Sequence, residues 1–264
     1  MASANRPTAG LDVGALWTKA AVCRDGALVA SRVAPTGCEA GETAAQVLAE
    51  ALAACGLRAE ELAGLVATGA GKAEVERATG RASEVLCAAR GAQAVHPGAR
   101  GVLDLGGEST RALRLDAQGA VADFALNDKC AAGTGVFLDA MARLMGVAIE
   151  QMGPLSLTAE ADVAITSMCV AFAESEVVSQ VHRQTPKRDI VKGIHKSIAT
   201  RVFGLLQRVD LGPEVLAIGG LARNVGITTC LQELTGHALL LPPEPQLVSA
   251  LGAALLAGEQ EVRP

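Results

Sequence analysis

Two cysteines stand where a thiolate could do chemistry. Cys130 lies in NDKCAAGTGVFLDAMARLMG, residues 127–146, just ahead of the small-residue turn Gly133-Thr134-Gly135. The spacing predicts an amphipathic helix after that turn, with Phe137, Met141 and Leu144 on one face and Gly146 ending it. Cys169 lies in TSMCVAFAESEVVSQV, residues 166–181, and opens a second predicted helix with Val170, Ala173, Val177 and Val181 at its apolar positions. The N–H groups and dipole of a helix N-terminus favour negative charge, and the thiolate is the form of cysteine that binds metal. The chain therefore offers two candidate metal ligands, 39 residues apart, each expected at the mouth of a helix. A cysteine taken singly is more often a small core residue; the matched contexts argue for chemistry.

A second chemistry is written in glycine. Asp12-Val13-Gly14 and Asp104-Leu105-Gly106-Gly107 each end an apolar run, and each is followed by a hydroxyl and a cation: Thr18 and Lys19, then Thr110 and Arg111. GLDVGALWTKAAVCRDGALVASRV and VLDLGGESTRALRLDAQGAVADFAL repeat at an offset of 92 residues, slipping by one at the turn, which reads as an internal duplication. Glycine lets backbone N–H groups approach a phosphate closely. Two such turns facing each other would let Asp12 and Asp104 hold Mg²⁺ through waters, because Mg²⁺ favours carboxylates together with substrate phosphates. A third turn, Gly219-Gly220, follows another apolar run and suits the covering of a nucleoside. No GxxxxGK[ST] or GxGxxG motif is present. The three turns together predict a nucleotide cleft between two lobes.

The elements that must carry these residues follow from punctuation and periodicity. Strands are expected at 9–13, 20–23 and 27–33, the last two joined by an Asp25-Gly26 hairpin. An alanine-rich helix at 43–55 and a strand at 65–67 follow. The second unit repeats the strands at 101–105, 112–115 and 121–126. A long helix is expected at 189–209, a strand at 215–218, a helix and a short strand ending at 241, and a final helix at 247–257. That alternation is α/β.

Composition narrows the function. Of 264 residues half are hydrophobic and only 2% aromatic, which supplies a core but no base-stacking surface. Net charge is −5 without a basic run, so nucleic acid is not the expected partner. No apolar stretch is long enough to span a bilayer. The opening MASANRPTAG lacks a signal-peptide core, so a cytoplasmic location with reduced thiols is expected. Seven cysteines without CxxC spacing suggest neither a zinc finger nor a disulfide framework.

LDVGALWTKA, VLDLGGEST, NDKCAAGTGVFLDAMA, MCVAFAESEVVSQ, GIHKSIATRV and IGGLARNVG together resemble the ATP-dependent activators of 2-hydroxyacyl-CoA dehydratases. The wider family includes ATPase subunits of benzoyl-CoA reductases and reductases of double-cubane cluster proteins. The resemblance covers essentially the whole chain. It implies the actin/hexokinase/Hsp70-like fold, two duplicated RNase-H-like lobes around an ATP cleft. Lobe I would span 1–97, lobe II 98–246, and a C-terminal helix in 247–264 would pack back towards lobe I. It also implies a homodimer with one 4Fe–4S cluster shared at the interface. A cubane takes four thiolates, and a two-fold axis would supply them as Cys130 and Cys169 from each subunit. Carried over, Asp12, Gly14, Thr18, Lys19, Asp104, Gly106 and Gly107 are the phosphate and Mg²⁺ loops, and Gly219, Gly220 and Asn224 the adenosine loop. Cys23, Cys38, Cys55, Cys87 and Cys230 fall outside the motifs and are assigned to packing.

The chain departs from the family at two loops. Gly106-Gly107-Glu108-Ser109 stands where Gly-Gly-Gln-Asp is usual, and Ala15-Leu16-Trp17 where small and hydroxyl residues are usual. Glu108 is the candidate for positioning the attacking water. The implied activity is ATP-driven delivery of a low-potential electron, taken from ferredoxin or flavodoxin, to a partner iron–sulfur enzyme of anaerobic metabolism. An uphill push of about 400 mV costs about 9 kcal/mol, more than the 1–3 kcal/mol typical of coupling between sites, which is the reason for ATP. Two rivals belong to other classes: a small-molecule kinase of the same fold, and a metal-binding scaffold without turnover.

Overall fold

The computed structural model describes residues 6–165 and 170–261. It contains two five-stranded mixed sheets built to one plan. The first comprises β1 (Thr8–Val13), β2 (Trp17–Arg24), β3 (Ala27–Pro35), β4 (Gly64–Thr68) and β5 (Gly80–Arg81), in the order β3-β2-β1-β4-β5. The second comprises β6 (Gly101–Leu105), β7 (Thr110–Leu115), β8 (Val121–Asn127), β9 (Glu214–Ile218) and β10 (Ala238–Leu240), in the order β10-β9-β6-β7-β8. In each, the first three strands form antiparallel hairpins and the last two add in parallel. Even the irregularities match: a bulge at Val22/Cys23 and another at Arg114/Leu115.

The helices differ between the halves. In the first, α1 (Ala40–Ala54) alone crosses from β3 to β4, burying Ala44, Val47, Leu48, Ala51 and Leu52 against the sheet. It starts at Ala40, three residues before the expected Thr43. In the second, the same crossover carries α3 (Gly135–Met145), α4 (Ile149–Leu157), α5 (Val170–His182) and α6 (Lys187–Leu206). Ile190, Ile194, Ile198 and Val202 of α6 are buried beside Phe137, Met141 and Met152 in the largest core cluster. Helix α7 (Val225–Thr235) then leads to β10.

Two helices link the halves. α2 (Glu84–Val95) runs from the first sheet into the second, and α8 (Val248–Glu261) returns to lie on β1, β4 and α2. They approach at glycine: a Cβ on Gly91 would strike the Val248 carbonyl, and one on Gly252 the Cys87 carbonyl. The Thr8 hydroxyl donates to the Ala254 carbonyl at 2.8 Å, which ties α8 to β1.

Candidate functional site

A cavity of about 740 Å³ lies between the two sheets, bordered by Asp12, Gly14, Lys19, Glu84, Asp104, Gly106, Gly107, Glu108, Gly219, Gly220 and Asn224 among others. That volume suits a ligand of nucleotide size. Asp12 and Asp104 occupy equivalent places. Each is the next-to-last residue of the first strand of its sheet, and each pairs across the hairpin with a cation, Asp12 with Lys19 and Asp104 with Arg111. The Lys19 ammonium lies 2.8 Å from Asp12 Oδ2, and an Arg111 guanidinium nitrogen 2.8 Å from Asp104 Oδ2. Both carboxylates are recessed and buried. Behind each aspartate sits a glycine at φ +89, Gly69 after β4 and Gly219 after β9, a conformation that favours glycine.

The first glycine turn closes through Gly14 N–H donating to the Trp17 carbonyl, and the second through Gly106 N–H donating to that of Ser109. Thr18, expected to bind the phosphates, does not line the cavity: it is fully buried, its hydroxyl 3.0 Å from that of Thr36, which itself donates to the Gly14 carbonyl. Thr18 thus braces the turn from behind. Lys19 borders the cavity. Glu108 is exposed at the rim. Asn224 caps α7, its Oδ1 accepting from Ile227 N–H at 3.1 Å. Its amide nitrogen lies 3.4 Å from Nε2 of fully buried His195. Burial holds the His195 imidazole down at about 4, so it is neutral at physiological pH.

Sequence reasoning missed Glu84 as a site residue and left Arg111 without a role. Glu84 is the first residue of α2, set by Ser83, whose hydroxyl accepts from Leu86 N–H. Arg111 binds Asp104, the Ser109 hydroxyl and Glu84 Oε1, the last at 2.5 Å. Burial raises the Glu84 carboxyl above its ordinary range; Arg111 pulls the other way, and Asp12 and Asp104 both add to the rise. The signal for Glu84 was Ser83-Glu84 as a helix start. The arginine it reaches, 27 residues on, has no local signature.

The cysteine segment departs from expectation in a telling way. Cys130 lies in the loop before α3, five residues ahead of its first residue, and is not at the helix mouth. The first amides of α3 are taken elsewhere: Gly135 N–H donates to Gly106 O at 3.0 Å and Val136 N–H to Gly107 O at 2.8 Å. The Thr110 hydroxyl donates to Gly133 O at 2.9 Å, and the Asn127 side-chain amide to Cys130 O at 3.0 Å. The thiol loop and the start of α3 are thus tied to the second glycine turn and the strand after it. Leu144, expected on the apolar face of α3, is exposed, and Leu138 and Met145 are buried with Phe137 and Met141. Cys169 lies outside the described residues; α5 begins at Val170. Of α5, Ala173 and Val177 are buried, whereas Val181 and Phe172 are exposed. Burial pushes the Cys23 and Cys87 thiols up to about 11, as suits packing residues. Cys38 is exposed, so it is not one of them.

Two like-folded lobes clasping a cavity with paired aspartate turns define an α/β protein of the actin/hexokinase/Hsp70-like class. A sugar kinase of the ROK family from Streptomyces griseus, 14% identical at a TM-score of 0.59, shares that fold. Residues 9–257 match the BadF/BadG/BcrA/BcrD ATPase family, and the chain belongs to it. The structure of component A of (R)-2-hydroxyglutaryl-CoA dehydratase from Acidaminococcus fermentans is similar at a TM-score of 0.93 and 38% identity, over 98% of this chain and 100% of that one. The activator of 2-hydroxyisocaproyl-CoA dehydratase from Clostridium difficile, solved with bound ADPNP, is similar at 0.91 and 37% identity, over 97% and 95%. The activator of lactoyl-CoA dehydratase from Anaerotignum propionicum is 39% identical over 96% of this chain and 97% of its own length. No helix among the described residues is long and apolar enough to cross a membrane.

Proposed function

We propose that this chain is an ATP-driven activator that delivers a low-potential electron to a 2-hydroxyacyl-CoA dehydratase. The observation that carries the reading is the junction beside Cys130: α3, which follows the thiol loop, donates its first two amides to Gly106 and Gly107 of the second turn. The activators named among the relatives support a dehydratase as acceptor. They match this chain nearly end to end, whereas a benzoyl-CoA reductase polypeptide from Thauera aromatica, 35% identical, matches over 76% of it.

In this reading the turns at Gly14 and Gly106-Gly107 receive the phosphates with their N–H groups. Lys19, a mobile point charge, neutralises them. Asp12 and Asp104, recessed behind the turns, hold Mg²⁺ through waters, and the ion supplies further charge neutralisation. Gly219, Gly220 and Asn224 cover the nucleoside. Residues 1–97 and 98–246 act as the two closing bodies, with α8 returning to the first.

Cys130 and Cys169, from this chain and from a second copy, hold a 4Fe–4S cluster, which supplies one-electron chemistry when bound. Two observations support the fit. Cys130 is half-buried and takes part in no disulfide. Helix α5, which starts one residue after Cys169, exposes Phe172, Val178 and Val181, apolar side chains on more than one side of the helix, part of which a second copy would cover. A ferredoxin or flavodoxin is the electron donor in this reading. The test is anaerobic purification, an absorption spectrum across the iron–sulfur charge-transfer band, and iron counted per pair of chains. Colourless protein, or a monomer with its full iron, would overturn the shared cluster. Equal electron transfer with ATP and a non-hydrolysable analogue would overturn the coupling.

A further inference from the structure

We propose that Glu84 is the carboxylate that orients the attacking water during ATP hydrolysis, in place of Glu108; the proposal rests on the ATPase reading above. Six carboxylates border the cleft: Asp12, Glu84, Asp104, Glu108, Asp128 and Glu150. They sort by environment. Asp12 and Asp104 are recessed, each already facing a cation across its hairpin. Glu108, Asp128 and Glu150 are exposed, where bulk water competes with any bound one. Glu84 alone is intermediate, its side chain one third exposed (33%) and facing the cavity between the two phosphate turns.

Its attachment also suits the task. The backbone is fixed at the first turn of α2 by the Ser83 cap, and Arg111 grips Oε1 from one side. The other oxygen, Oε2, takes no partner among the described residues. A group that orients water needs this combination of a held carboxylate and one open acceptor. Glu84 lines the same cavity as Asp12, Asp104 and the turns at Gly14 and Gly106-Gly107, where the ATPase reading puts the terminal phosphate. The step is a displacement at that phosphate. The water oxygen bonds to the γ-phosphorus, and the bond from that phosphorus to the bridging β-oxygen breaks, its electron pair leaving on ADP. One water proton passes to Glu84 and on to solvent.

The test compares Glu84→Gln and Glu84→Asp with wild type. Trp17 serves as the reporter, being the only tryptophan, 43% exposed and on the cavity wall. Its fluorescence follows binding of ADP and of a non-hydrolysable ATP analogue without turnover. Glu84→Gln, which can still accept from Arg111, is expected to lower kcat by about 100-fold or more and to leave the fluorescence midpoint within about threefold, the pattern of a contact made in the transition state. Glu84→Asp keeps the charge and falls between. If Glu84→Gln keeps kcat within about tenfold, or loses kcat and affinity together, the proposal fails and Glu84 is only a tie for Arg111. A larger loss in Glu108→Gln would also sink it. Should Glu84→Gln not fold, Glu84→Asp with wild-type kcat overturns the proposal by itself. Wild-type protein without ATP turnover would overturn the functional reading as well, and is measured first.

Discussion

The two lobes share strand order, register, bulge and aspartate, yet they use the pair beside the aspartate differently. In the first, Lys19 makes one ion pair and stands at the cavity wall. In the second, Arg111 is consumed by Asp104, Ser109 and Glu84. A flexible ammonium can leave its carboxylate for a phosphate; a guanidinium held by three acceptors cannot, without uncovering two carboxylates. The matched cations thus divide the work: Lys19 is placed to meet a ligand, and Arg111 holds the frame of its own lobe. The second difference lies in the crossover. One α-helix joins β3 to β4, whereas four α-helices among the described residues join β8 to β9, and both candidate metal ligands lie in that enlarged segment.

Removing the cations should separate the two roles most sharply. Arg111→Met leaves Asp104 and Glu84 without a counter-ion in a buried place and should cost about 3–5 kcal/mol, read as a fall in the denaturant midpoint. Arg111→Lys should not restore it, because lysine cannot serve three acceptors in a plane. Lys19→Met should cost less stability and instead weaken nucleotide binding by about 10- to 100-fold, the worth of a charge-assisted contact. Equal stability losses in the two variants would dissolve the distinction.

Acid should find the second lobe first. His195 is neutral when folded, with its pKa held at about 4 by burial, against an ordinary 6.5. The unfolded chain binds the proton more readily, so stability falls as pH drops from about 6.5 to about 4, by up to about 3 kcal/mol at the lower end. Amide exchange in α6 and α7 should rise before that in β1 and β4, and His195→Gln should flatten the profile. The two matched glycines give the smallest effect and the finest comparison. A Cβ on Gly69 would meet Asp12 Oδ1 at 2.8 Å, and one on Gly219 would meet Asp104 Oδ1 at 2.7 Å. Alanine at either should cost about 1–3 kcal/mol by strain at positive φ. Gly219→Ala alone should also shift the Trp17-reported nucleotide midpoint, because Gly219 lines the cavity.

Much of this frame was legible because the hairpins punctuate themselves. Asp25-Gly26 and Gln118-Gly119 mark the turns, and the repeated Asp-x-Gly sets the register. Helix α2 was invisible for a physical reason: its buried side are Cys87, Ala88, Ala89, Gly91 and Ala92, too small and too continuous to show a stripe. Helix α4 contains Gly153 and Pro154, residue types that weaken a helical pattern in the sequence. At the site, Asp12, Asp104 and the glycines could be found from spacing because their neighbours are local. Glu84 depends on where α2 begins relative to a strand of the other lobe, and Thr18 on which way its side chain points along β2. Neither is encoded in a short window. Cys130 was singled out by its surroundings, but the amides expected to face it face Gly106 and Gly107.

That last junction is made of main-chain atoms. Gly135 and Val136 donate from the backbone, and Gly106 and Gly107 accept on it. Side-chain replacement leaves those groups in place, so an alanine scan would pass over the link and report nothing. Only a residue lacking the donor, such as proline at 136, or a bulky one forcing the two loops apart, can cut it. Sequence drift in this region can therefore retune either end while the wire between them persists.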